Sequence, residues 1–293
     1  MAIIVDNDSR VIIQGITGKT GRTFADRMSK YYPTTFVGGV TPGKKGEVVC
    51  EKPVYNFVRE AVEELGANTS VIVVPARLLK DAVLEAVDAG IKTIWTYTDG
   101  VAVHDAVDMV QYCKLNGVRL IGPNSAGVLS PGKASAAEHN ENMLPLLPGN
   151  IGLLSKSGSL SYEVINMIHD AGFGFSSIIC IGGDPVLGTT CADVLRLYAD
   201  DPETKAIVMV GEIGGTDEAD CAELIKSIDK PIVGYVCGHT APPKKKMGHA
   251  GAIVGGEAET AAGKTKILKD AGVITVTSIE GIPEALQKLK EKM

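Results

Sequence analysis

The chain has no apolar run approaching the roughly 20 residues that cross a bilayer, no CxxC pair, and no cysteine and histidine at zinc-site spacing. These absences exclude a membrane helix and a structural zinc module, and no metal-ligand set emerges from spacing elsewhere. Aromatic residues are scarce, at 5% of the 293 positions, which argues against an all-β sandwich. Net positive charge is missing too. The formal charge of −6, with only short lysine clusters, excludes a nucleic-acid surface and leaves small molecules or proteins as partners. The six cysteines, Cys50, Cys113, Cys180, Cys191, Cys221 and Cys237, are widely scattered and read as reduced, mostly buried thiols. The opening "MAIIVDNDSRVIIQG" has neither the charged and apolar blocks of a signal peptide nor an Arg/Ser-rich transit segment. The expected location is the cytoplasm, or the mitochondrial matrix if a transit peptide has been removed.

What is present is glycine, 34 residues of it, and an alternation of short apolar runs with helical patterns. "RVIIQG", "TFVGGV", "SVIVVP", "KTIWTY" and "VRLIGP" read as strands. Between them, "TGRTFADRMSKYY", "NFVREAVEELGA", "RLLKDAVLEAVDAG" and "AVDMVQYCKLNG" carry apolar residues at three-and-four spacing, the last two ending in a glycine suited to a helix C-cap. Five such steps predict a parallel, doubly wound sheet over residues 1–124. The stretch 125–150, rich in Pro, Gly, Ser and Asn, is expected to be a connector with structured loops. Over 151–293 the alternation resumes, with strands "IGLLS", "SSIICIGG", "KAIVMVGEIGG", "PIVGYVCG" and a short "VITVT". The intervening helices "SLSYEVINMIHDAG", "TCADVLRLYAD", "EADCAELIKSID", "ETAAGKTKILKDAG" and "GIPEALQKLKEK" complete a second parallel layer of flavodoxin-like size. The fold class is therefore α/β with two parallel sheets, the first Rossmann-like.

The first strand runs into "QGITGKTGRTF", so Gly15, Gly18 and Gly21 lie where a phosphate would meet unpaired N–H groups at a helix N-terminus. This G-x-x-G-x-x-G spacing differs from the dinucleotide fingerprint and is also that of a tight turn with no ligand. At the end of the second strand, "GGVTPGKKGE" offers Lys44 and Lys45 where an NAD site would place an acid on the ribose. Two lysines suit a ligand carrying extra phosphate, either coenzyme A or NADP, and otherwise form a solvated loop.

His249, in the basic loop "KKKMGHAGAIV" between Gly248 and Gly251, is a poor packing residue at the C-terminal edge of a strand. It could serve as general base, metal ligand or nucleophile, or be an ordinary solvated residue. Metal binding lacks an acidic cluster, and a base would need a nucleophile elbow, but G-x-S-x-G is absent. A nucleophile that takes up a phosphoryl group suits glycine neighbours better, because backbone N–H groups can then approach a tetrahedral anion. "SKSGSLSYEV" would supply such donors at a helix N-terminus, and Glu212 in "GEIGG" would orient the imidazole.

The motifs "QGITGKTG", "GGVTPGKKG", "IGPNSAG", "SKSGSLSYE", "IGGDP", "DPETKAIVMVGEIGG", "KPIVGYV" and "MGHAGAI" span almost the whole chain. In order and nearly in wording it resembles the α subunit of succinyl-CoA synthetase. The resemblance implies a CoA-binding Rossmann-like domain, a ligase domain, and a partner β subunit of ATP-grasp fold that binds the nucleoside triphosphate and Mg2+, as αβ or α2β2. It implies reversible formation of succinyl-CoA from succinate, CoA and NTP through succinyl phosphate and a phosphohistidine. On it, His249 is the phosphorylated residue and Glu212 the acid that steadies it. Thr17, Gly18, Lys19, Thr20, Lys44, Tyr97, Thr98 and Asp99 contact CoA. Tyr162, Asn124 and Ser125 lie at the carboxylate-substrate site, and Ser157, Gly158 and Ser159 face the phosphohistidine.

The chain departs from the family pattern in four places. Ser125 and Ala126 replace Cys-Pro, "ASAAEHNENMLPLLPG" replaces Lys-Ile-Gly-Ile-Met-Pro-Gly-His, Lys156 replaces an arginine, and "TDGVAVHD" replaces Thr-Glu-Gly-Ile-Pro. All lie near the CoA or acyl end rather than around His249. The alternatives are the same mechanism with malate or another dicarboxylate and, in different classes, an NADP-dependent dehydrogenase or a non-catalytic CoA-sensing subunit.

Overall fold

The computed structural model describes residues 3–144, 146–242 and 247–292. The run Lys244–Lys246, which makes the histidine loop basic, lies outside the described residues.

The first half begins with β1 (Val11–Gln14), buried throughout as a central parallel strand must be. It leads into α1 (Lys19–Tyr31), then β2 (Phe36–Val40), a hairpin of β3 (Val48–Val49) and β4 (Lys52–Tyr55), and α2 (Val58–Leu65). β5 (Thr69–Ile72), α3 (Ala76–Asp88), β6 (Thr93–Thr96), α4 (Val103–Leu115) and β7 (Arg119–Ile121) complete it. The strand order is β3-β4-β2-β1-β5-β6-β7, so the direction of winding reverses at β1 and opens a crevice beyond its C-terminal end. The anticipated glycine stops are real: Gly90 and Gly117 have φ of 96° and 65°, conformations in which a side chain would be strained.

The second half contains β8 (Gly127–Ser130), β9 (Ala134–Ala137), β10 (Pro148–Ser155), α5 (Gly158–Asp170), β11 (Phe175–Cys180), α6 (Cys191–Asp200) and β12 (Ala206–Glu212). It continues through α7 (Ala222–Ile225), β13 (Ile232–Cys237), α8 (Ala261–Asp270), β14 (Ile274–Thr275) and α9 (Gly281–Leu289). Its order is β14-β13-β12-β10-β11-β8-β9, with the reversal at β10, directly below the N-terminus of α5.

Two expectations need correction. The sheets are mixed rather than wholly parallel: β3 pairs antiparallel with β4, and β8 pairs antiparallel with both β9 and β11. The stretch 125–150, expected to be a connector, also supplies a hairpin and the start of β10 to the second sheet. Its short residues hid this, because Gly127, Ala134, Ser135, Ala136 and Ala137 lack the bulky β-branched signature of a strand. They are small because the hairpin is pressed between the halves: a Cβ on Gly127 would lie 2.8 Å from the Trp95 ring and 2.2 Å from Ala136 O. Trp95 is fully buried, stacks on Phe24 at 5.4 Å, and donates its Nε1–H to Ser125 O at 3.0 Å. One apolar cluster, including Ile13, Phe24 and Trp95 from the first half and Ile179, Leu195 and Val236 from the second, fastens the halves together.

Candidate functional site

Three strand ends of the second sheet meet at His249. From β12 comes Glu212, whose Oε2 lies 2.6 Å from His249 Nδ1. Beyond β11 comes Gly183, so close beneath the imidazole that a Cβ there would sit 2.3 Å from His249 Cγ. From β10 the chain turns into α5, capped by Ser157, whose Oγ accepts the Leu160 N–H at 3.1 Å. The loop is stitched in place by the Gly251 N–H on Gly183 O at 2.9 Å. Gly214 abuts it so closely that a Cβ would lie 2.4 Å from Gly251 O. Gly183, Gly214 and Gly251, one from each of "IGGDP", "GEIGG" and "MGHAGAI", thus let these backbones pack closely around the ring's loop.

The imidazole is half-buried, and its pKa is raised from the ordinary 6.5, chiefly by the hydrogen bond to Glu212, against burial, which lowers it. Glu212 engages Nδ1 and leaves Nε2 as the nitrogen for covalent chemistry. The ring borders two cavities. One, of about 310 Å³, joins the halves: Tyr97, Asp99, Asn124 and Ser125 line it with Glu138, Gly158, Ser159 and His249. The other, about 530 Å³, lies on the Glu212 side and is lined by Ser157, Glu212, Tyr235, Cys237, Met247 and His249 among others.

Most of the expected site residues therefore come together. Asn124 reaches across, donating Nδ2 to Asp184 Oδ1 at 3.0 Å, while its O accepts the Gly183 N–H at 3.1 Å. Ser125 lines the cavity, but its hydroxyl is engaged by Cys180 O and by the Gly127 N–H at 2.8 Å. Thr98 is a strut, donating Oγ1 to Val74 O at 2.7 Å and accepting the Asn124 N–H at 3.0 Å. Tyr162 is not among the residues lining the shared cavity: its hydroxyl donates to Glu138 O at 3.0 Å and its ring stacks on His139 at 5.1 Å.

At the other end, Thr17 bonds Thr41 Oγ1 at 3.2 Å, and Gly18, Lys19 and Thr20 lie exposed at the N-terminus of α1. Gly21 is required there, since a Cβ would fall 2.3 Å from Gly15 O, and the turn is closed by the Gly18 N–H on Gly15 O at 3.1 Å. Lys44 is paired with Glu47 at 2.9 Å and Lys45 with Glu60 at 2.7 Å. Such exposed pairs are worth little.

Glu138 was missed. It sits in the segment read as a connector, and only the hairpin reveals that its carboxyl enters the cavity, 2.8 Å from where a Gly158 Cβ would be. Burial pushes its pKa up, partly offset by Arg27. Its backbone is clamped by Arg27 and Tyr162 on O and by its own N–H on Ala126 O at 2.9 Å. The available signal was charge: a Glu-His pair in a run of small residues.

A polar cavity joining a Rossmann-like half to a flavodoxin-like half, with a carboxylate-held histidine at the junction, defines an α/β protein of two halves that share one candidate site. Residues 6–100 match the CoA binding domain family and residues 154–274 the CoA-ligase family. The chain is 50% identical over 275 residues to succinate–CoA ligase [ADP-forming] subunit alpha 2 of Archaeoglobus fulgidus, covering 93% of this chain and 94% of that protein. It is 45% identical to the corresponding alpha subunit of Aquifex aeolicus, over 99% and 95% of the two chains. It is also 41% identical to the malate–CoA ligase alpha subunit of Methylorubrum extorquens, over 93% of each chain. The chain belongs to the family of succinate–CoA ligase alpha subunits, which sets aside the dehydrogenase alternative. Among solved structures, ATP citrate lyase of Methanothrix soehngenii, in complex with citrate and coenzyme A, shares the fold at a TM-score of 0.88 and 24% identity. The match covers 99% of this chain, which spans about half of that longer one, 51%.

Among the described residues no group of three or more His, Cys, Asp or Glu could hold a metal ion, and no helix is long and apolar enough to cross a membrane.

Proposed function

We propose that this chain is the α subunit of an NDP-forming ligase that makes succinyl-CoA reversibly from succinate, CoA and a nucleoside triphosphate, with His249 as phosphoryl carrier. The observation that carries this reading is the placement of one imidazole, held at Nδ1 by Glu212 at 2.6 Å, between two cavities. A carrier needs two accesses, one for the group that loads it and one for the group that unloads it. Residues 1–124 form the CoA-binding half and 151–293 the ligase half on this reading, with 125–150 supplying Glu138 to the space between.

Nε2 attacks the terminal phosphorus of the nucleotide as the P–O bond to the diphosphate breaks, and Glu212 stabilises the positive charge that develops on the ring. A succinate carboxylate oxygen then attacks that phosphorus, the N–P bond breaks, and succinyl phosphate forms. The CoA thiol adds to its carbonyl, and phosphate leaves as the thioester forms. Ser157, Gly158 and Ser159, at the first turn of α5, present N–H groups and the positive helix end to the phosphoryl group during these transfers. Thr17 to Thr20 and Lys44 would hold the CoA phosphates, while Tyr97, Thr98 and Asp99 border the passage toward His249. A partner β subunit of ATP-grasp fold would bind the nucleotide and Mg2+, in an αβ or α2β2 assembly working in the cytoplasm.

Glu138 favours a second reading within the same mechanism. A carboxyl in the shared cavity accepts a hydrogen bond from a hydroxyl, which malate has and succinate lacks. Thioester formation by the reconstituted pair across a panel of acids separates the two. Succinate as the best substrate is expected, and preference for malate replaces it with the second reading.

A further inference from the structure

We infer that Lys264 and Glu218 are positioning residues for the His249–Glu212 pair, gripping the backbone of Glu212 from both sides. This inference rests on the proposed carrier role of His249. Lys264 lies on α8 and is completely buried, an unusual place for an ammonium group. All three of its donors are engaged, by Glu212 O at 2.8 Å, Gly214 O at 2.7 Å and Glu218 Oε2 at 2.5 Å. Glu218, also completely buried, accepts the Glu212 N–H on its other oxygen at 3.0 Å. Gly211 makes room for this, since a Cβ there would lie 2.8 Å from Glu218 Oε1. Both backbone polar groups of Glu212 are therefore fixed by one buried ion pair.

Packing alone does not account for the pair. Buried ion pairs are weak stabilisers compared with apolar residues of similar volume, so what this one supplies is placement. The grip extends beyond Glu212, because Gly214, whose carbonyl Lys264 holds, presses against Gly251 in the histidine loop. Charge is arranged to the same end. Glu218 is answered by Lys264 and, at 3.7 Å, by Lys156, which leaves the carboxylate of Glu212 to the imidazole. The charged groups acting on the ring are Glu212 from β12, Asp184 from the loop after β11 and Lys156 ahead of α5.

The test is ring NMR of His249 in the full-length chain, comparing wild type with Lys264→Met and with the charge-balanced double variant Lys264→Met/Glu218→Gln, whose amide oxygen still accepts the Glu212 N–H. With the Glu212 carbonyl released, the Nδ1–H signal bonded to Glu212 weakens and the titration midpoint of the ring falls, because burial and Lys156 then act with less opposition. Phosphorylation of His249 in the reconstituted pair drops by about tenfold, the size expected for coupled neighbours. A folded variant with the wild-type midpoint and Nδ1–H signal overturns the inference. Should neither variant fold, the ammonium protons of Lys264 in wild type decide: slow exchange with couplings to the Glu212 and Gly214 carbonyls is expected, and exchange as fast as a surface lysine's refutes the grip. Failure of nucleotide to label wild-type His249 would sink the carrier reading instead, and the ring titration would stand apart from that outcome.

Discussion

Gly183→Ala places a single methyl group against the ring on which the proposed carrier role depends. Gly183 has a backbone conformation open to alanine, so the change does not strain the chain itself. The new Cβ would lie 2.3 Å from Cγ, 2.4 Å from Nδ1 and 2.7 Å from Cδ2 of His249, where ordinary contact begins at 3.4 Å. The ring must therefore withdraw by about 1 Å, the deficit at Cγ, and the 2.6 Å bond to Glu212 cannot survive in its present geometry. A hydrogen bond to a charged group contributes about 1.5–3 kcal/mol. Its loss corresponds to a fall of roughly ten- to hundredfold in the rate at which His249 accepts a phosphoryl group. Because the ring is only half-buried, it can swing outward, and the melting temperature should change little. The assay is labelling of the chain by radioactive nucleotide in the reconstituted pair, with a thermal melt beside it. An alanine variant that labels at the wild-type rate would show that the ring is not held where Gly183 and Glu212 place it.

Glu212 raises the pKa of His249, so the ring stays cationic above the ordinary 6.5, and the lone pair that the proposed carrier role requires is available only as the proton leaves. Phosphorylation should rise with pH through a midpoint above 6.5, and Glu212→Gln should move that midpoint down; an unmoved midpoint contradicts the pairing. By linkage, the stability this pair contributes is fully present below the unfolded value of 6.5 and is lost as pH rises through the raised folded value. Glu138→Gln should alter the malate-to-succinate ratio in kcat/KM by on the order of tenfold, with a smaller effect on labelling; an unchanged ratio removes Glu138 from the acid site. His139 is completely buried, bonded through Nε2 to Ser161 Oγ at 2.8 Å, and burial pushes its pKa down to about 3. The unfolded chain then binds the extra proton between about 6.5 and 3, and stability falls with pH across that window by up to about 1.4 kcal/mol per unit. Urea melts at pH 7 and 5 should show a steeper loss for wild type than for His139→Gln, and parallel slopes would refute a neutral buried ring.

The alternation of strand and helix was legible because parallel strands buried on both faces read as continuous apolar runs, as residues 11–13 and 206–210 do. The site was legible because convergence of backbones demands glycine: the turns holding His249 announce themselves as "IGGDP", "GEIGG" and "MGHAGAI". The hairpin β8–β9 was not legible. Apart from Val128 and Leu129 its residues are small, and small residues carry no strand periodicity to read. Glu138 was lost with it, since nothing local says that a carboxyl in a Pro- and Gly-rich stretch will face a histidine more than a hundred residues onward. Tyr162 stood out in "SKSGSLSYE", yet its hydroxyl braces the backbone of Glu138 rather than the cavity. Lys264 gave no signal either. A lysine in "TAAGKTKILKD" looks like any other on a helix, and only its three acceptors distinguish it.

The central claim is that His249 carries the phosphoryl group on nitrogen. It is tested most directly by loading the reconstituted pair with labelled nucleotide, treating the chain with acid and with base, and mapping the label by mass spectrometry. A label that acid removes, that base leaves, and that maps to His249 is the result this account predicts. An acid-stable label, or one that persists undiminished in His249→Asn, would contradict it.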